Sequence, residues 1–268
     1  MDVDESTMHT ARVVIEACPP PRRQQDKALA LLEHAFRCYT RFDAVSIPDI
    51  QDGSEFGRSR KRLTNLEFGA WIRDQVDLPL SLYKVSVSSA KDDFETWLDG
   101  ARELDCHDLV VVGGDSSRKS YDGLSIDDAA KIANGHGFHT GGIIIPTRRK
   151  AFAPRPASLD ELERLKTKIR YWPLSFFTTQ ILYEGEWMAC LLLDLVRHFE
   201  PDEIPKILLT FSPFVCEADI DFAKKALGVY VPADVERLLR GARSMAEEAI
   251  GIASPRSRPW ACSAARRP

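Results

Sequence analysis

No apolar run in this chain approaches the roughly 20 residues that a bilayer-crossing helix needs, so no membrane span is expected. The first residues, Met1 to Thr10, are acidic and polar and lack the charged-then-apolar layout of a secretory signal. Of the six cysteines, Cys18, Cys38, Cys106, Cys190, Cys216 and Cys262, no two stand at C-x-x-C spacing, and several fall inside apolar runs. That pattern reads as reduced thiols in a cytoplasmic protein. His136 and His139 form an H-x-x-H pair in a Gly-rich turn with no third ligand nearby, so no metal site is expected. There is no strong bias of charge either. A net charge of −4 gives no electrostatic case for nucleic acid or an anionic membrane. Finally, neither G-x-G-x-x-G nor G-x-x-x-x-G-K occurs, which removes the usual nucleotide-binding turns of open α/β sheets.

What is present is a rhythm. Apolar runs at Val13–Ala17, Ala44–Ile47, Leu80–Val87, Leu109–Val112, Gly142–Ile145, Phe176–Leu182 and Ile207–Phe211 are mostly continuous rather than alternating. Continuous runs of this length fit strands buried on both faces, as in a parallel sheet covered by helices. Amphipathic segments lie between them: Gln24–Phe42, Asn65–Gln75, Asp92–Leu104, Ile126–Ala133, Leu159–Tyr171, Glu186–Phe199 and Ala218–Leu227. Ser125 and Ser158, each followed by acidic residues, read as helix N-caps. The β/α alternation predicts an α/β fold, a TIM-type (β/α) barrel, as a single domain over residues 11–250. The eighth β/α unit is missing or degenerate: residues 251–268 are rich in Pro, Arg and Ser, an irregular tail in which only Arg258–Ala264 offers a poor strand. A seven-strand ring leaves an open seam, so a homo-oligomer is expected.

A barrel gathers its functional residues at the carboxyl ends of its strands. Read there, the chain offers Glu16, Asp49, Asp52, Ser86, Ser88, Ser89, Asp115, Thr147 with Arg148 and Arg149, Gln180 and Ser212. Glu16 interrupts an apolar strand just before Pro19-Pro20-Pro21. Burial would raise its pKa and suit a general acid; the alternative is a solvated rim residue. Asp115 follows two glycines that allow close approach of backbone or ligand, and it is either a ligand contact or a turn and cap residue. The Gln180 amide can donate and accept together, which fits the mixed edge of a heterocycle or a bridge between two loops. Arg148-Arg149-Lys150 is a grip for a phosphate or carboxylate tail, or a solvated loop.

At these positions the chain resembles the methylenetetrahydrofolate reductase superfamily. Ile15-Glu16-Ala17-Cys18-Pro19-Pro20 is similar to the family's first-strand motif, and Asp43-Ala44-Val45-Ser46-Ile47 to its second strand. Gly114-Asp115 is similar to the Gly-Asp after the fourth, and Leu165-Lys166-Thr167-Lys168 with Phe177-Thr178-Thr179-Gln180 to the family's L-K-x-K helix and T-Q strand. The stretch from Gly141 through Leu192 resembles the short, actinobacterial-type reductases that dispense with flavin. The resemblance implies reduction of 5,10-methylenetetrahydrofolate to 5-methyltetrahydrofolate with NAD(P)H. Glu16 would be the acid that opens the folate ring, Asp115 a pterin or flavin contact and Gln180 the holder of the pterin edge. Ser46, Ser86, Gly114, Asp115, Thr147, Arg149 and Lys168 would be cofactor contacts. FAD is the cofactor of most of the family, but Ile145-Pro146-Thr147-Arg148-Arg149 stands where flavin-binding members carry a Tyr and a His. Two other outcomes fit the same residues: a folate-dependent one-carbon enzyme of specialised metabolism, and a lapsed barrel kept as a partner subunit.

Overall fold

The computed structural model describes residues 12–38, 42–50, 62–114, 120–148, 160–183, 185–225 and 227–253. The chain divides into two compact units, residues 1–141 and 142–268, the boundary falling within a strand.

The first unit alternates strictly: β1 (Val14–Glu16), α1 (Gln25–Cys38), β2 (Ala44–Ile47), α2 (Asn65–Gln75), β3 (Leu80–Val85), α3 (Lys91–Glu103), β4 (Asp108–Val112), α4 (Ile126–Gly135) and the start of β5 (His139–Ile144). Each strand pairs in parallel with the next. The helical stripes make one core with one face of the sheet. Val45, Ile47, Leu80, Leu82, Leu109 and Val111 pack there with Phe68 and Ile72 of α2, Phe94, Leu98 and Ala101 of α3, and Ala129 and Ala133 of α4. Thr64 opens α2 with a reciprocal capping box to Glu67, and Ser125 caps α4 as its sequence predicts.

In the second unit the remainder of β5 is followed by α5 (Glu161–Tyr171), β6 (Phe176–Thr179), α6 (Glu186–His198), β7 (Lys206–Leu208), α7 (Glu217–Lys225), α8 (Ala233–Gly241) and α9 (Met245–Ala253). β6 and β7 are parallel partners. The Gly142 backbone packs against Leu174 and Phe177, where a Cβ would come within 3.1 Å of both side chains. After β7 three helices follow without a strand among the described residues. They enclose a second core of Ile220, Ala223, Val229, Val231, Val235, Leu239 and Ala249 with Tyr183 and Phe214. The expected poor eighth strand, Arg258–Ala264, lies outside the described residues.

Strand order follows chain order from β1 to β7. A doubly wound sheet would reverse its order at a switch point. Parallel strands in unbroken sequence are instead what a TIM-type β/α fold requires. Several predicted boundaries shift: β5 begins at His139 rather than Gly142, β7 ends at Leu208 rather than Phe211, and α1 ends at Cys38 rather than Phe42. β3 stops at Val85, because Ser86–Ser88 turns into a short 3-10 helix tied to the loop before α4. β6 stops at Thr179 rather than Leu182. The α5 cap is Asp160, whose carboxylate accepts from Leu162 N, rather than Ser158, which lies outside the described residues.

Candidate active site

Alternation along the strands sorts the first unit's side chains. Ile15, Ala17, Val45 and Ile47 face the helical core, so Glu16 and Ser46 face the other way at the carboxyl ends of β1 and β2. They are register partners, and Ala17 N donates to Ser46 O at 2.8 Å. The structure therefore brings together two of the residues singled out from sequence. Glu16 keeps solvent contact at this rim, yet the protein around its carboxyl is dense enough that desolvation raises its pKa. The Cys18 thiol, two residues on, is pushed up to about 11, first by burial and then by the Glu16 carboxylate, against an opposing pull from Arg62.

The strap after Glu16 is held from outside. Three consecutive prolines offer carbonyls but no N–H donors. Arg62 and Leu63 supply the donors: Arg62 Nη1 reaches Pro19 O at 2.9 Å and Leu63 N reaches Pro20 O at 3.1 Å. One turn further, Arg22 grips Glu67 through both carboxylate oxygens at 2.6 and 2.7 Å. Sequence reasoning missed Arg62. Its only signal is a donor-rich segment that must face a donor-free one.

Other strand-end residues are committed to the fold. Asp49 Oδ2 accepts from Val85 N at 3.0 Å and lies 3.8 Å from Lys84 Nζ, so it closes the end of β3. Beside it Asn65 donates to Tyr83 O at 2.6 Å and accepts from the Trp97 indole at 3.2 Å. Ser86, fully buried, donates its hydroxyl to Leu124 O at 3.1 Å. Ser89 donates to Val85 O. What approaches Gly114 closely is the ring of Tyr121, 2.2 Å from where a Cβ would stand. Gly123 lies as tightly on the Val87 backbone, at 2.5 Å. Asp52, Asp115, Arg149 and Lys150 lie outside the described residues.

In the second unit, the Gln180 backbone N–H donates to Ile144 O at 2.8 Å. Its side-chain amide donates to Leu227 O at 3.1 Å and accepts from Ile181 N at 3.2 Å, so it bridges two loops. Thr147 is half-buried in the turn Pro146–Arg148. Lys168, 4 % exposed, donates to Ile143 O at 2.8 Å and lies 3.9 Å from Glu161 Oε1, which itself accepts from Ile145 N at 3.1 Å. Tyr183 stacks on Phe214 at 4.4 Å between ring centroids, and its hydroxyl donates to Ser212 O. Among the described residues no cluster of His, Cys, Asp and Glu has metal-binding geometry, and no helix is long and apolar enough to cross a membrane.

No protein-family model matches the chain, and no curated protein does. Solved structures do. A tryptophan synthase α-subunit from Pyrococcus furiosus is 15 % identical with a TM-score of 0.49, covering 90 % of this chain and 95 % of that one. The α-subunit from Legionella pneumophila is 12 % identical with a TM-score of 0.45, covering 89 % and 88 %. A phosphoribosylanthranilate isomerase from Thermotoga maritima is 12 % identical with a TM-score of 0.40, covering 82 % of each chain. Likeness at this level carries no argument about activity.

Proposed function

We propose that this chain is a reductase of 5,10-methylenetetrahydrofolate, built on a TIM-type barrel whose eighth unit is degenerate, and that it uses NAD(P)H. The observation that carries the reading is Glu16. It stands at the carboxyl end of β1 on the face away from the helical core, beside Ser46, on a strap clamped at Pro19 and Pro20, with desolvation favouring its protonated form. A carboxylic acid kept protonated is what opening an aminal ring requires, because the departing ring nitrogen must take a proton as its bond to the methylene carbon breaks. Hydride from the nicotinamide then reduces that carbon to a methyl group. We assign the Ser46 hydroxyl, on its register partner, the role of orienting the acid.

Two of the residues that the resemblance assigns to a cofactor are engaged within the protein, the Lys168 ammonium with Ile143 O and Glu161 and the Ser86 hydroxyl with Leu124 O. We therefore propose that hydride passes from the nicotinamide without a flavin. We further propose a homo-oligomer, checked by light scattering against the mass of one chain.

The test is folate-dependent NAD(P)H oxidation by the purified protein. Glu16→Gln removes the proton but keeps the shape, and is expected to lower turnover by roughly 10² to 10⁴. Turnover unchanged by that substitution would overturn the assignment.

A further inference from the structure

A general acid that has given up its proton must recover it, and under a bound ligand the mouth of the site is the wrong place to fetch one. The first unit offers another route. Register partners run Glu16–Ser46, Ser46–Ser81, Ser81–Asp108 and Asp108–His139, one residue from each of the five strands. All five share a face. Ile15, Val45, Ile47, Leu80, Leu82 and Leu109 belong to the helical core, and the Thr140 hydroxyl turns to Asn134 of α4 at 2.9 Å, so each member of the row points away from that core. Branched apolar side chains usually fill this face of a β/α sheet. Here an unbroken polar row crosses it.

The row also changes level. Glu16 ends β1, whereas Ser81 is the second residue of β3, Asp108 the first of β4 and His139 the first of β5. It therefore descends from the carboxyl rim to the amino-terminal edge of the strands. At that edge His139 Nδ1 lies 3.4 Å from Asp108 Oδ1 and the histidine is open to solvent. A cleft of about 200 Å³ reaches Asp108 from the same edge, with Asp105 and His107 among its walls. Neighbouring strands stand about 4.8 Å apart, a spacing that one water between successive groups would bridge.

We propose that this row is a proton relay that recharges Glu16 from the amino-terminal edge of the sheet. The inference rests on the reading of Glu16 as the general acid. In each turnover His139 takes one proton from solvent and passes it to Asp108. Ser81 and Ser46, with the intervening waters, each accept one proton and release another, and the Glu16 carboxylate receives the last. Every O–H bond broken is matched by one formed, and the net transfer is one proton from solvent to Glu16.

A relay has a kinetic signature that packing lacks. Every variant is equilibrated with solvent before mixing, so blocking the relay spares the first turnover and slows the later ones. Ser81→Ala is expected to keep the wild-type rate in a single turnover and to lose about tenfold in steady state, less than the roughly 10² to 10⁴ of the acid itself because solvent also reaches Glu16 once the ligand has left. Added imidazole should restore the steady-state rate, and Ser81→Thr, which keeps the hydroxyl, should need no rescue. His139→Gln, at an exposed position, should behave like Ser81→Ala. A steady-state rate untouched in both Ser81→Ala and His139→Gln, or one lowered equally in the first turnover and deaf to buffer, would overturn the relay alone. Absence of folate-dependent oxidation in the unaltered protein would overturn the reading of Glu16 and the relay together.

Discussion

At the scale of single residues, one desolvated carboxyl and one buried ion pair make claims that can be measured. Glu16 has its pKa raised by desolvation, so ionising it costs the folded state more than the unfolded one. Its contribution to stability is whole below the unfolded value, near pH 4.3, and is lost as pH rises through the raised folded value. Glu16→Gln should therefore match the unaltered protein in acid and become relatively more stable as pH rises toward neutrality, as read by denaturant midpoints across pH; a gap that closes with rising pH contradicts the burial. Lys168 and Glu161 are the opposite case. They are 4 % and 1 % exposed, and between them they satisfy Ile143 O and Ile145 N at the end of β5. Removing one partner strands the other charge in the interior. Lys168→Met should cost about 3 to 5 kcal/mol, and adding Glu161→Gln should recover part of it. Equal losses in the single and double variants would mean the pair does not act as one. Lys168 was offered as a cofactor contact by the resemblance of Leu165-Lys166-Thr167-Lys168 to the family's L-K-x-K helix, not by its own surroundings in the sequence. Its commitment to a backbone carbonyl from a different element is a long-range fact that spacing along the helix does not carry.

Elements were far more legible than contacts. The 3.6-residue stripe and the continuous apolar runs located each of the strands and helices β1 to α7 to within a few residues, since both patterns arise from burial, which local sequence encodes. What shifted were ends, where partners from elsewhere decide. β3 is cut short because Leu124 N donates to both Ser86 O and Ser89 O, while Gly123 N reaches Val87 O. The glycines of this junction look alike in sequence and differ in what they face. Gly123 meets backbone, with a Cβ only 2.5 Å from the Val87 carbonyl and 2.6 Å from Ser89 N. Gly114 meets the Tyr121 ring, a side chain. Gly123→Ala should therefore cost about 1 to 3 kcal/mol with no side-chain remedy. Gly114→Ala should cost a similar amount alone and much less in the company of Tyr121→Ala, a coupling that a double-mutant cycle on thermal or urea unfolding reads directly. Additive losses would place the ring elsewhere.

For the whole molecule, strand order decides between two architectures that composition leaves equal. Unbroken order from β1 to β7 removes the crevice that a reversal of order creates in a doubly wound sheet, and with it the usual place for a dinucleotide. A ligand must then be held by strand ends and the loops above them. Glu16 was legible as a candidate because a carboxylate inside an apolar strand is costly enough to show in sequence. Ser46 gained its role only from register, which pairs it with Glu16. A flavin needs donors for its phosphates and ribityl chain, and two of the side chains assigned to that task are turned into the protein, Lys168 toward Ile143 O and Ser86 toward Leu124 O. Purified under native conditions, the protein should be colourless, with no flavin absorbance and no flavin released on denaturation, and its oxidation of NAD(P)H in the presence of methylenetetrahydrofolate should not respond to added FAD. A yellow preparation, or activity that appears only with FAD, would require both side chains to leave their present partners, and the direct transfer of hydride from nicotinamide to folate would then be wrong.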